Sequence, residues 1–456
     1  MRLNLFPMRF FAIAIPLFSI SLATAPAAHA QQVQAASDQP TPSITLDEAI
    51  TRAKANEPNF AAAVAASGVS ALDRSIARSA LLPTVTYHNQ FLYTQGTGIP
   101  ISGTSSGTLG TTPRFIANNA VHEYTSQGVV NETFGFQQLT AVSRASAAAA
   151  VAAANLEISR RGLVATVVGL FYTSLALENK VTVIKRATIE ADNLVKLTEQ
   201  REAVREAAHA DVVKAQLQQQ QRNRDLADSM VQAQKSRLDL GVLLFSDPRS
   251  PYALTIPATA PPLPARADVE LAAVHHNPEL QSALASLHES NIGVTAARAA
   301  YLPDLALNFA YGIDAAQFAT TSPDGFRNLG YSASATLDIP VWDWLSTQHR
   351  VKQSQILQKV ARLALTSTQR QLIAQLDEDY NEATTARNQL DSLNTSVQTA
   401  TESLRLTRLR YTAGEATVLE LVDAENSLTT SELAREDGMT RYQLSLVNLQ
   451  LLTGTI

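Results

Sequence analysis

Between Val341 and Ala413 the chain runs 73 residues without a glycine or a proline. Nothing else restricts its folding as much, because these are the two residues that end helices. Ile373, Leu376, Tyr380 and Ala383, then Leu390, Leu393, Val397, Ala400 and Leu404, recur along the run at intervals of three and four. That is the narrow seam of a coiled coil, not the broad stripe of a helix lying on a globular core. At 1.5 Å per residue, roughly 65 helical residues reach about 100 Å. A second run free of Gly and Pro covers Leu170 to Leu240, behind a tract of small residues from Ala141 to Ala154. No compact domain houses such elements.

The sequence is also duplicated. Pro58 and Pro83 recur as Pro278 and Pro303, and Ala77-Arg78-x-Ala80-x-Leu82-Pro83 recurs as Ala297-Arg298-x-Ala300-x-Leu302-Pro303, an offset of 220 residues. Farther along the offset is 209, matching Arg161 with Arg370, Phe171 with Tyr380, Arg201 with Arg410, Asp211 with Glu420 and Ala215 with Ala424. The first copy therefore carries 11 extra residues, placed in Thr94–Asn119, a Gly/Ser/Thr-rich loop whose shorter counterpart is Asp314–Asn328. Two copies of one supersecondary unit are expected, each running helix, hairpin, very long helix, turn and a final helix of about 35 residues.

Alternation flanks both loops. Leu305, Leu307, Phe309, Tyr311 and Ile313 lead out, and Leu329, Tyr331, Ala333, Ala335, Leu337 and Ile339 return. Val85, Tyr87, Phe91 and Tyr93 do the same in the first half, with a weaker return from Ala120 to Phe134. Period-two patterning over about ten residues suits a membrane β-hairpin, although soluble hairpins share it. Four strands cannot close a barrel, and open edges are not tolerated in lipid. If the strands span a membrane, several chains must share one sheet, and three would supply twelve strands.

The N-terminus favours the membrane reading. Arg2 and Arg9 precede an apolar run from Phe10 to Leu22, and Ala28-His29-Ala30 is a small-x-small cleavage signal, so residues 1–30 read as a secretory signal peptide. No run of 18 or more apolar residues follows Ala30, so no transmembrane helix is expected. The net charge of −5 becomes −7 without the two leader arginines, which leaves no basic stripe for nucleic acid. The absence of cysteine excludes disulfides, thiolate metal sites and an acylated lipoprotein cysteine.

The paired Leu-Pro helix exits, with Arg410-Tyr411-Thr412-Ala413-Gly414-Glu415-Ala416-Thr417 followed by Leu421-Val422-Asp423-Ala424, resemble the outer membrane efflux protein family, the TolC-like channels. The resemblance covers about Ile44 to Gly454. It implies a mainly α fold with a small β part: an α-helical barrel continuous with a transmembrane β-barrel, four strands per chain, trimeric. It implies a homotrimer in the outer membrane, in contact with its lipid, gripped by a periplasmic membrane fusion (adaptor) protein and an inner-membrane pump of RND or ABC type. The function implied is passive export in a tripartite efflux or secretion system; a type I protein secretion duct and a soluble periplasmic coiled-coil spacer are the alternatives. The expected division is 1–30 leader, 31–43 tail, 44–245 first repeat, 246–266 Pro-rich linker and 267–456 second repeat.

Gly414 stands where a long helix must stop and reverse, in the left-handed cap conformation glycine adopts freely. The matching turn near Arg205–Ala210 has no glycine. The resemblance makes Ala413, Gly414, Glu415, Ala207 and Ala208 the turns that an adaptor contacts, and Tyr411, Glu420, Asp423 and Asp211 the periplasmic entrance. Glu420 and Asp423 lie three apart on one helix face, so threefold symmetry would gather them into a cation-favouring collar with pH-dependent conductance. Read without the family they are solvated charges at a helix N-terminus. Lys214 replaces the second acid in the first half, and Ala416 stands where the family has a latching arginine.

Pro83 and Pro303 force the extended chain that starts a strand, and Pro340 marks the return to helix. Trp342, Trp344 and Tyr331 suit a membrane–water boundary or packing at the strand–helix junction. No enzyme, cofactor or metal is expected. Gly103–Gly107 fits G-x-S-x-G but sits in a loop without a strand-to-helix elbow, and Ile292 breaks the zinc spacing begun by His288-Glu289. The adjacent His275 and His276 point apart, and Met230 and Met439 are too few for a soft-metal ladder.

Overall fold

The computed structural model describes residues 42–93, 122–255 and 262–455. The expected leader, the segment Thr94–Asn119 with its Gly103–Gly107 motif, and residues 256–261 of the linker lie outside the described residues. The described elements form one compact unit, Ser43–Ile456.

The same succession of elements runs through the chain twice. First come α1 (Leu46–Asn56), α2 (Pro58–Ser79), β2 (Thr84–Tyr93), β3 (His122–Phe134), α3 (Phe136–Ala203) and α4 (His209–Leu244). Then follow α5 (Arg266–His276), α6 (Pro278–Ala299), β5 (Asp304–Ala315), β6 (Leu329–Asp338), α7 (Ser346–Thr412) and α8 (Val418–Thr453). Two short strands, β1 (Ser43–Ile44) and β4 (Ala253–Leu254), pair in parallel and tie the start of the first half to the linker, a contact no motif announced.

Each expected leading helix is in fact two. Pro58 and Pro278 occupy the first turn of α2 and α6, where the missing N–H costs nothing. The preceding Glu57 and Asn277 cap those helices, accepting from the N–H of Asn59 at 3.1 Å and of Leu280 at 2.8 Å. Pro83 and Pro303 stand just before β2 and β5, as expected. Pro340 does not open a helix directly. Residues 339–345 intervene, with Trp344 and Leu345 at φ 56° and 65°, and α7 begins at Ser346.

The 68 residues of α3 and 67 of α7 make rods about 100 Å long. α3 starts at Phe136 and passes through Gly162 and Gly169, well before the Leu170 boundary drawn from composition. Its packing against α2, α4, α6 and α8 outweighs the helix propensity lost at two glycines. α3 also corrects a second expectation, since one of its 18-residue windows is apolar enough by length and composition to cross a membrane. That window is 39% buried inside the fold, as the core helix of a packed bundle is. Along α7 the seam runs through Leu372, Leu376, Ala383, Ala386, Leu390 and Ala400; Ile373, placed in the seam from spacing, is 66% exposed.

The two halves are joined along α3 and α8. Lys180 pairs with Asp437, Arg186 with Glu432, and Arg408 of α7 with Glu190 at 2.7 Å. At the other end of these helices Arg161 donates to Glu157 at 2.6 Å and to the His276 carbonyl at 2.9 Å, beside Gly454 at φ 71°. The Arg160 guanidinium, then that of Arg161, holds the Glu157 carboxyl down at about 2 against its partial burial.

The four long strands form one antiparallel sheet in the order β2-β3-β5-β6. β3 and β5 join the two halves, with Phe134 opposite Leu305 and Tyr124 opposite Ala315. The register puts Val85, Tyr87, Phe91, Val130, Leu307, Phe309, Tyr331 and Leu337 on one face. Thr86, His88, Gln90, Asn131, Asn308, Ser334 and Asp338 share the other. One side of the sheet is thus apolar and exposed, and the other polar. Trp342, Trp344 and Tyr331 are also exposed, the two indoles meeting edge to face at 5.8 Å.

Candidate functional site: the paired helix turns

At the end of the rods farthest from the sheet, each long helix reverses through a short turn. After α7, the Gly414 N–H donates to Tyr411 O at 3.1 Å and the Glu415 N–H to Arg410 O at 2.8 Å, with Gly414 at φ 81°. This is the left-handed cap expected of glycine. After α3, Arg205 N–H donates to Glu202 O and Glu206 N–H to Arg201 O, both at 2.8 Å, with Arg205 at φ 59°. Arg205 is the residue that the 209 offset matches to Gly414. The first half therefore makes the same turn with a side chain in the left-handed region, which is why composition gave no sign of it.

The helices leaving the turns start alike. Thr417 Oγ1 accepts from Glu420 N–H at 3.2 Å, and the Thr417 N–H donates to Glu420 Oε1 at 3.3 Å, a reciprocal capping box. In the first half only the return bond exists, Ala208 N–H to Asp211 Oδ2 at 3.3 Å. Glu420 Oε2 also lies 3.2 Å from Arg410 Nη1, so its carboxylate is engaged at both oxygens. Asp423 and Lys214 are exposed, Asp211 is partly buried, and Asp423 lies one turn along α8 from Glu420.

Tyr411 is buried at 3% exposure in a cluster with Leu194, Val195, Ala215, Val418, Leu421 and Val422. Ala416 packs against this cluster, an apolar contact where the sequence resemblance implied an arginine. The tyrosine hydroxyl is buried without a hydrogen-bond partner among the described residues. Burial, aided by the Asp211 charge and opposed by Arg201, pushes its pKa up. Arg201 is the residue that sequence reasoning passed over. Its guanidinium lies 4.5 Å from the Tyr411 ring centre and donates to the carbonyls of Tyr411 at 3.0 Å and Thr412 at 3.1 Å. It thereby clamps the turn of one half to the long helix of the other. The only sign in the sequence is its repeat match to Arg410.

A second overlooked group sits farther along the same bundle. Glu425 of α8 is buried beside Arg408 of α7 at 3.5 Å, with Glu190 of α3 and Arg222 of α4 facing it. Burial raises its pKa against the pull of Arg408. A glutamate at a seam position, four residues after Leu421, was the available signal.

Of the residues expected to meet an adaptor, Ala413, Gly414, Glu415 and Ala208 are exposed, and Ala207 is partly buried. Val204 and Leu419 add exposed apolar side chains at the same end. Among the described residues no group of three His, Cys, Asp or Glu could hold a metal ion.

Residues 272–455 match the family model described as Outer membrane efflux protein. Outer membrane protein OprJ of Pseudomonas aeruginosa is 26% identical over 176 residues, 39% of this chain; the match spans about a third (36%) of that relative's length. The fold is that of solved outer-membrane channels. The Campylobacter jejuni CmeC outer membrane channel superimposes with a TM-score of 0.77 at 14% identity, covering 90% of this chain and 85% of that one. The outer membrane protein VceC of Vibrio cholerae gives 0.76 at 16% identity, over 90% and 96% of the two chains. The Neisseria gonorrhoeae MtrE outer membrane channel in its open state gives 0.72 at 19% identity, over 90% and 88%.

Proposed function

We propose, from a second half that matches the outer membrane efflux protein family and a fold shared with outer-membrane channels, that this chain is the outer-membrane channel of a tripartite efflux system. Three copies enclose one duct, since four strands have two outer edges and cannot close. The apolar face of the sheet meets outer-membrane lipid and the polar face lines the pore. The rods carry the duct about 100 Å into the periplasm. There the turns at Ala413–Glu415 and Ala207–Ala208 meet a periplasmic adaptor, which connects to an inner-membrane pump of RND or ABC type. Export is passive, and Tyr411, Glu420, Asp423 and Asp211 form the entrance.

The observation that carries this reading is the stacking, in one chain, of a sheet with an exposed apolar face on rods too long for a globular domain. The test is conductance of the purified protein in planar bilayers. The parent should be cation-selective and blocked by divalent cations from the turn side, and Glu420→Ala/Asp423→Ala should lose both. Unchanged selectivity and block in that variant would remove the entrance from this reading; a protein that never conducts would remove the channel.

A further inference from the structure

The chain contains, at the junction between its halves, a worked example of how two hairpins of this kind meet. Thr84 lies opposite Asn131 in the first hairpin, and Asp304 opposite Asp338 in the second. The repeat therefore lays β2 on β5 and β3 on β6 in one frame. Between the hairpins, β3 meets β5 with Asn131 opposite Asn308, Val129 opposite Ala310 and Gly128 opposite Tyr311. The Asn308 amide donates to Asn131 Oδ1 at 2.5 Å. β2 and β6 are the outer strands, each hydrogen-bonded to a neighbour on one side.

We propose that a second copy of this chain pairs its β2 with β6 in one register, Asp338 opposite His88 and Thr336 opposite Gln90, set by the repeat. The proposal rests on the multi-chain wall of the preceding subsection and specifies how that wall is stitched. The junction pair Asn131–Asn308 becomes Asp338–His88, so an amide contact is replaced by a carboxylate facing an imidazole on the polar face. The same operation sets Ala335 opposite Phe91 on the apolar face, as Gly128 faces Tyr311 inside the chain. It also puts Ile339 against Tyr87 and Val341 against Val85, and both residues of β6's extension are exposed in the single chain. Small residues face large ones and each face keeps its polarity. A slip of one residue would break both patterns.

The helices below carry matching exposed stripes. Inside the chain α6 packs on α3; the repeat-equivalent contact between copies would bring α2 onto α7. α2 has no buried residue and exposes Val69, Leu72 and Ile76, while α7 exposes Ile356, Val360 and Leu363. Ile356 is the match of Ala147, which is buried in the chain. These are the two sides of a contact that one chain cannot make with itself.

A chain without cysteine gives a silent background for the test. In the full-length protein in outer membranes, the double variants His88→Cys/Asp338→Cys and Gln90→Cys/Thr336→Cys are mildly oxidised and run on denaturing gels. Both should give thiol-reversible covalent dimers and trimers. Within one chain β2 and β6 stand three strand spacings apart, about 14 Å, beyond the reach of a disulfide. Thr84→Cys/Asp338→Cys and Gln90→Cys/Ser332→Cys, displaced by four residues or about 13 Å along the strand, should cross-link slower by on the order of tenfold. Faster cross-linking by the displaced pairs, or none by either matched pair in a protein that migrates as an oligomer, overturns the register. A parent protein that is monomeric in membrane extracts overturns the multi-chain wall itself, and the pairing with it.

Discussion

Arg201 is expected to be the residue that holds the two halves together at the helix turns, and Arg201→Ala measures how strongly. Two hydrogen bonds from a charged donor reach the carbonyls of Tyr411 and Thr412 at 3.0 and 3.1 Å. Arg201 is partly exposed, so each is worth about 1 kcal/mol after solvent competition. Stacking at 4.5 Å from a buried ring adds roughly 0.5–1 kcal/mol. The loss of about 2.5–3 kcal/mol corresponds to a roughly 60- to 150-fold rise in the opening constant of the α7 end. Amide hydrogen exchange at Ala413, Gly414 and Glu415, whose N–H groups bond back to Leu409, Tyr411 and Arg410, reads that constant directly. Arg201→Lys keeps the charge without the planar two-point grip and should fall between. Tyr411→Phe removes a buried hydroxyl that has no partner, so exchange should stay unchanged or slow by up to about 1 kcal/mol. Exchange in Arg201→Ala within threefold of the parent, or a Tyr411→Phe variant looser than Arg201→Ala, would refute the assignment of the clamp to the guanidinium.

Three further outcomes follow from the geometry. Arg205→Gly should stabilise the first turn by about 1 kcal/mol, read as a higher denaturation midpoint, because a side chain now occupies the position that Gly414 fills in the second half. Gly454→Ala should cost roughly 1–3 kcal/mol, since φ is 71° and a Cβ would run into Arg161 and the His276 carbonyl; an unchanged Tm would show that this knot is slack. Glu425 has a folded pKa raised by burial, so the native state holds its proton more tightly than the unfolded chain, and the resulting stability is present below the ordinary value of 4.5 and lost as pH rises through the raised one. Glu425→Gln should therefore raise Tm at neutral pH and match the parent near pH 4, and a variant less stable at neutral pH would mean that the pull of Arg408 outweighs burial.

What could be read from the sequence was whatever repeats or is periodic. The long rods followed from the missing glycines and prolines, the hairpins from alternation, and the Gly414 turn from the one residue type that favours its φ. The first turn was visible only through its repeat match, because Arg205 takes a strained conformation that no composition advertises. Ile373 was misplaced by one position because Leu372 and Ile373 are adjacent and equally apolar, and a step of four from Leu376 selects Leu372. The start of α3 was missed because packing overrides the two glycines within it. Arg201, Glu425 and the β1–β4 tie involve partners far apart in the chain, and single-residue patterns carry no record of which side chains meet.

Glu420 already has company: one oxygen fastens the first turn of α8 and the other faces Arg410. Asp423, roughly 4.5 Å farther along the axis, has no ion pair among the described residues to match that of Glu420 with Arg410. In the proposed trimer the mouth is therefore tiered, a muted outer band of glutamates followed by a bare inner band of three aspartates. A cation drawn inward would shed water against the second band rather than the first, and Asp423→Ala alone would unmake most of the filter that the double variant removes.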